Sequence, residues 1–433
     1  MRHGAWTARR ALVLASALLL AALTAAQAQD SGQDVFDASA FDQNVQQSTQ
    51  QEQKTKLETQ FGGNLLYDTS VTTTTDFGGY GAGGSFSGKA FVKVSVPDYG
   101  ALYIAYNYSK NLYQGAAGTV PGVPFGPGAP FGPGGPVLAQ SAGDLFGVSS
   151  ALSEFYVSLD IAQKVFFRIG NQLLAWGPSV IWTPVDFVNL QRVNPLAALD
   201  LRVGKPGLRI TVPIGISNLF FFADMSGTVT SGAVNDPVRS TNLAARWDLT
   251  VSGFELAVTG YTGFGIQSQA GFDLSGRLLG FDVYGEVVAG VPTSSASFTW
   301  ASSLGFQKTL GELSYWSVAG EFFYNEAGTS DIAAYPALAA AQSFTPFYVG
   351  RVYSYAALTR NHLFIDGVGA TIAGFMDASD LSFLGRLSMS IDVPKVPPFT
   401  FSLTWAGGGV NKAFTYITGN NSLTADLQVR VEF

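Results

Sequence analysis

The 433 residues carry 24 basic and 31 acidic side chains, a formal charge of −7, and no cysteine. That balance excludes the basic footprint of a nucleic-acid binder, and the missing thiols exclude disulfide staples and thiolate metal sites. Charged residues are only 13% of the chain, about half the usual share of a soluble domain, while Phe, Tyr and Trp together also reach 13% and glycine numbers 50.

Arg2, Arg9 and Arg10 precede an apolar run from Ala11 to about Ala26, and Ala26-Gln27-Ala28 offers a small-x-small cleavage site. This order of positive, apolar and cleavage regions is that of a secretory signal, expected over residues 1–28. The alternative, an uncleaved helical anchor, has only about 16 apolar residues for a span that takes ~20. Cleavage after Ala28 removes three of the 24 basic residues and no acidic ones, so 21 against 31 leaves a balance of −10. Residues 29–57 are polar and glutamine-rich, which predicts a mobile periplasmic arm, with a short helix or a plug as alternatives.

From residue 58 to 433, segments with period-2 alternation follow one another. They fall near 58–70, 83–96, 100–112, 150–161, 164–176, 199–212, 216–228, 239–251, 254–263, 269–278, 280–290, 297–309, 312–325, 347–358, 361–376, 380–393, 398–407 and 421–433. In one of them Phe399, Phe401, Leu403 and Trp405 share a face opposite Thr400, Ser402 and Thr404. Short connections such as 97–100, 162–164, 252–253 and 278–280 largely alternate with long ones such as 113–149, 177–198, 229–238, 326–346 and 408–420. No stretch after the signal approaches the ~18 continuous apolar residues of a membrane helix. Export, low charge, abundant aromatics and connections sorted by parity predict an all-β chain. Its expected form is a transmembrane antiparallel up-and-down β-barrel of about 18 strands in the bacterial outer membrane. In 199–212 the apolar register switches across "GKPG" at 204–207. A Pro/Gly bulge would explain the switch, whereas a true turn would favour a count of 16.

The last segment interleaves Leu423, Ala425, Leu427, Val429, Val431 and Phe433 with five polar residues. It is expected to present apolar side chains to lipid, polar ones to the lumen, and to pair with the first strand. A strand of alternating hydrophobics closing on an aromatic resembles the signal that hands outer-membrane barrels to their assembly machinery, which implies that role for Phe433.

Chemistry is sparse. Beyond the signal the only histidine is His362, in a short turn, and no paired histidines or phosphate-cradling loop accompany it. No catalytic group, metal or cofactor is therefore expected.

The most distinctive stretch is 166–210. Trp176, Gly177, Trp182, Pro184, Asp186, Asn189 and Arg192 belong to a stiff, partly apolar loop over 177–198. One reading folds it into the barrel mouth as a constriction; the other leaves it on the surface with its tryptophans at the lipid interface. Arg168, Gly170, Gln172, Trp176, Gly177, Pro184, Asp186 and Asn189 form a pattern in which a WG-bearing strand leads into a PxD loop. It resembles polysaccharide-export-type and related uncharacterised porin-like barrels, about 45 residues being covered. Pro178 departs from that pattern, and the resemblance speaks to architecture rather than to substrate.

Charges sorted by register place Arg168, Arg202, Arg209 and Arg246 inward on the fifth to eighth segments. Glu255, Asp273, Arg277, Asp282 and Glu286 fall inward on the ninth to eleventh. Charge on the lipid face is costly, so these are expected to line the pore. They make either a basic wall beside an acidic one or ion pairs that fill the lumen. The Pro/Gly-rich stretch 120–137 reads as an exterior loop.

The function expected from the residues is a porin that passes small hydrophilic solutes, narrowed by the 177–198 loop. Two alternatives stand beside it: a barrel specific for an anionic polymer or nutrient, and a closed structural or adhesive barrel. Partners would be outer-membrane lipid, the assembly machinery and small polar solutes, with monomers and homo-oligomers both compatible.

Overall fold

The structure, a computed structural model, describes residues 57–75, 80–96, 99–117, 149–188, 195–227, 240–264, 266–291, 298–311, 316–340, 344–419 and 421–433. The expected signal and nearly all of the 29–57 arm lie outside them, as do the 120–137 loop, Asn189 and Arg192.

Eighteen strands form one antiparallel sheet. They are β1 Glu58–Thr74, β2 Tyr80–Val96, β3 Gly100–Ala117, β4 Ser149–Ile161, β5 Val165–Gln172, β6 Lys205–Ile214, β7 Ser217–Asp224, β8 Asn242–Val251 and β9 Phe254–Thr262. There follow β10 Gln269–Leu278, β11 Phe281–Gly290, β12 Thr299–Leu310, β13 Trp316–Asn325, β14 Val352–Arg360, β15 Val368–Asp377, β16 Ser382–Ile391, β17 Phe399–Gly407 and β18 Ser422–Glu432. Each pairs with its sequence neighbours, and β1 also pairs with β18 from Asn64↔Glu432 to Thr74↔Ser422. The sheet is thereby closed and no edge is left to template aggregation or to strand its backbone groups.

Alternation decides which way each side chain points. On β15, Ile372 and Met376 are exposed outward while Phe375 and Asp377 are buried inward. On β18 the polar Ser422 and Thr424 are buried, whereas Leu427 is exposed. At the seam Phe433 exchanges two backbone hydrogen bonds with Gly63, at 2.9 and 3.1 Å, and its ring lies 5.6 Å from Phe61. A Cβ on Gly63 would sit 2.9 Å from that ring, so glycine is what leaves room for it.

Connections from even to odd strands are short, from the two residues 252–253 to the seven of 361–367, and they share one rim. Ser252-Gly253 and Leu279-Gly280 hold both residues at positive φ, as the two-residue turns of twisted hairpins require. The opposite rim carries the long connections, 173–204 and 326–351 among them.

Several expectations need correcting: the strands expected over 347–358 and 361–376 begin only at Val352 and Val368, and the region around "GKPG" is built differently. The fifth strand stops at Gln172 rather than 176, and the sixth starts at Lys205 rather than 199. The register switch at "GKPG" is thus neither bulge nor turn between strands: residues 199–204 belong to the β5–β6 connection, and Arg202 is a loop residue. The eighteen strands leave no place for a count of sixteen.

Candidate functional site

The site is built where the 173–204 connection meets inward side chains of the barrel. Its first arm begins beside Glu154, whose Oε2 accepts the Leu173 N–H at 3.3 Å. Leu174, Trp176, Val185, Phe187 and Val188 then pack as one apolar cluster on Phe222 of β7 and Ala244 of β8. Burying these side chains removes the reason for the arm to stay in water.

Its backbone amides are satisfied by two glutamates. Glu286 on β11 accepts the Ser179 N–H at 2.8 Å and the Val185 N–H at 3.1 Å. Glu321 on β13 accepts from Val180 and Ile181 at 3.1 Å each, from Trp182 at 2.7 Å, and from the Tyr284 hydroxyl at 3.1 Å. A buried carboxylate is costly unless hydrogen-bonded, and these two are charge-compensated mainly by the loop's own N–H groups. Ser179 Oγ adds a bond to Ser303 Oγ on β12 at 2.7 Å. Gly177, at φ +98°, is indispensable here because a Cβ would lie 2.4 Å from Glu286 Oε1.

Trp182 is fully buried and stacks on Phe323 at 5.6 Å with only 5° between planes. Tyr353 and Phe375 complete its aromatic surround, and its indole N–H donates to the Phe347 carbonyl at 2.8 Å. With Leu384 and Phe414 these residues form a solid apolar mass against β13–β16. Pro184 lies buried beside them in sequence.

The second arm runs past β16 and β3 to β4. Arg386 donates to the Leu196 carbonyl at 3.2 Å, Asn107 to the Leu201 carbonyl at 2.7 Å, and the Gly204 N–H to the Ser153 carbonyl at 2.8 Å. Arg202 ties the arms together, pairing with Asp186 at 3.3 Å and Asp200 at 2.8 Å. Burial pushes the Asp200 carboxyl up, but the hydrogen bonds and charge of Arg202 outweigh that and hold it below the ordinary carboxylate range.

The expected pore-lining residues divide three ways. Arg246 pairs with Asp273 at 2.6 Å and Asp248 at 2.7 Å, and Arg277 with Asp282 at 2.9 Å. Opposite charges there are joined rather than held on separate walls. Glu255, Arg277 and Asp282 line a recess of about 330 Å³ with Pro178 and Tyr284, and Glu286 lies deeper, under the loop. Arg168 and Arg209 face each other in register on β5 and β6. Each also covers an aromatic ring, Tyr156 at 4.2 Å and Phe220 at 4.9 Å.

Sequence reasoning missed Glu321, Lys89, Glu154, Asp68, Arg386 and Asp426. Glu154 pairs with Lys89 at 2.7 Å, Asp68 accepts from Gln428 at 2.9 Å, and Ser402 bridges Arg386 to Asp426. All sit at inward positions of alternating strands, so sorting every charge by parity would have found them. His362 pairs with Asp366 at 2.9 Å in the exposed 361–367 turn.

No family model matches the chain, and no curated protein does. Solved structures do match. A BenF-like porin from Pseudomonas fluorescens Pf-5 superposes with a TM-score of 0.54 at 10% identity, covering 87% of this chain and 98% of that one. Pseudomonas aeruginosa OpdK with vanillate gives 0.53 at 9% identity over 86% and 98% of the chains. Pseudomonas aeruginosa OccK2 (OpdF) in complex with glucuronate gives 0.53 at 10% over the same shares. At such identity the likeness is one of fold: this chain has the closed barrel of outer-membrane porins.

Proposed function

We propose that the protein is an outer-membrane channel for small hydrophilic solutes, and that the 173–204 connection narrows it. The observation that carries the reading is the set of five loop amides, at Ser179, Val180, Ile181, Trp182 and Val185, bound to the inward carboxylates of Glu286 and Glu321. The first arm and its aromatic surround pack along the side of the interior that runs from Phe222 on β7 and Ala244 on β8 to Phe375 on β15 and Leu384 on β16. In this reading solutes pass along the polar side, beside the second arm, where Arg386, Ser402, Asp426, Asp68, Lys89 and Glu154 point inward from β16–β18, β1, β2 and β4. Water and small polar solutes suit such a lining. The short-connection rim faces the periplasm in this reading, the outward apolar belt meets lipid, and Phe433 at the seam serves the assembly machinery. Liposome swelling with neutral sugars of graded size tests it: swelling with the smallest and a sharp cut-off is expected, and no swelling from inserted protein would refute it.

A second reading, selective passage of small anions, is favoured by the register-paired Arg168 and Arg209. Two guanidinium groups backed by π faces offer both charge and stacking to a flat carboxylate. Vanillate and glucuronate, held by two barrels of the same fold, are small and polar, which suits this reading. Reversal potentials in a salt gradient decide it. Anion preference should fall in the Arg168→Gln/Arg209→Gln variant, and an unchanged potential would leave the unselective channel.

A further inference from the structure

The inward face holds nearly every charge on the strands; Lys110 on β3 points outward near the long-connection rim, and two more exceptions cluster at the other rim. Lys308 on β12 and Arg360 on β14 lie at outward positions, in the parity set of the exposed Leu304, Phe306 and Leu310 on one strand and of Leu358 on the other. Both stand at the short-connection rim and flank the start of β13: Lys308 is registered with Val318 and Arg360 with Trp316. Two strand spacings, roughly 10 Å, separate them laterally, a span that two long side chains close from either side.

Neither cation has an acidic partner among the described residues. Each lies instead over an outward aromatic ring. Lys308 Nζ is 4.1 Å from the Phe281 centroid, and the Arg360 guanidinium carbon is 4.8 Å from that of Trp316. Lys308 leans toward the rim, its Nζ 3.7 Å from where a Gly280 Cβ would be. The neighbouring outward side chains are apolar: Val318, Leu310, Leu358, Leu278 and Leu279, the last 88% exposed. A lipid-facing charge is costly near the midplane and cheap at the interface, and two cations set side by side at the rim suit an anionic group in that interface.

We infer that Lys308, Arg360, Phe281 and Trp316 form a docking site for the headgroup of an anionic phospholipid in the leaflet at the short-connection rim. Phosphate meets the two cations, the rings hold them upright, and the acyl chains lie along the apolar surface above. Charge complementarity and continuity with the apolar belt identify the occupant as membrane lipid. The inference rests on the membrane location proposed above.

Its test is lipid retention by the purified barrel in detergent, offered phosphatidylglycerol or phosphatidylcholine and read by native mass spectrometry. Wild-type protein should retain the anionic lipid preferentially. Lys308→Gln and Arg360→Gln should each lower that preference about five-fold, and the double variant should abolish it. Lys164→Gln, at the same rim in a turn, should leave it intact. No preference in the wild type, or full preference in the double variant, overturns the site. Flotation of the wild type with phosphatidylcholine vesicles is scored separately: failure to float refutes the membrane location and the site with it, while flotation without preference refutes the site alone.

Discussion

Three loop amides and the Tyr284 hydroxyl converge on one buried side chain at Glu321, and that makes it the most vulnerable point of the loop's attachment. A glutamine there keeps one oxygen but turns an NH₂ toward backbone N–H groups, so at least one buried donor loses its acceptor. Bonds to a charged acceptor are worth about 1.5–3 kcal/mol each. Amide hydrogen exchange over residues 180–182 should accelerate roughly ten- to a hundred-fold in Glu321→Gln by that arithmetic, with β1–β4 unchanged; equal exchange in the two proteins would show that the glutamate is not the anchor. Gly177→Ala should give the same signature over 177–186, since its φ of +98° and the 2.4 Å approach to Glu286 both oppose a side chain. The second arm has a pH signature of its own. Arg202 holds Asp200 below its unfolded value, so that pairing is complete above about pH 4 and is lost as pH falls through the depressed value. Exchange of the Arg202 amide, which donates to Asp200 Oδ1 at 3.0 Å, should therefore rise only below that pH, and Asp200→Asn should remove the dependence.

At the scale of elements, the seam between β1 and β18 is the contact with the longest sequence separation and the one that closes the barrel. Phe433→Ala deletes the ring resting on Phe61 and Gly63, a loss of about 1–2 kcal/mol if half the side chain is covered. The fraction that migrates as a folded barrel in unheated gels should fall; an unchanged fraction would remove the seam's claim on Phe433. The strands were legible because alternation is a local pattern: β9, β10 and β11 start and stop within a residue of the expected 254–263, 269–278 and 280–290. Legibility failed where apolar residues face protein instead of lipid. Leu199, Leu201 and Val203 alternate like strand residues, yet they line a loop arm whose partners, Asn107 and Ser153, are more than 40 residues away in sequence. Trp182 was ambiguous for the same reason, because an aromatic at a lipid interface and one stacked on Phe323 look identical in a string of letters. Parity gave the direction of Arg168, Arg209, Arg246 and Asp273 but not their partners, since pairing depends on the stagger between strands.

The whole molecule separates two solvents with one sheet. Its outer surface is apolar apart from a few charges, its inner surface is polar apart from the mass around Trp182, and in the proposed function a connection between neighbouring strands narrows it. In that reading the buried glutamates hold the loop to the barrel through its backbone amides, while Arg202 ties its two arms to each other. Of the expected pore charges, Arg246 with Asp273 and Arg277 with Asp282 are ion-paired, and Arg168 and Arg209 lie over aromatic rings. Single-channel recording in planar bilayers tests the central claim most directly. The wild-type protein should open in small, steady ohmic steps, and the Glu321→Gln variant in larger and noisier ones. Inserted protein that passes no current in either form would mean that water does not cross this barrel.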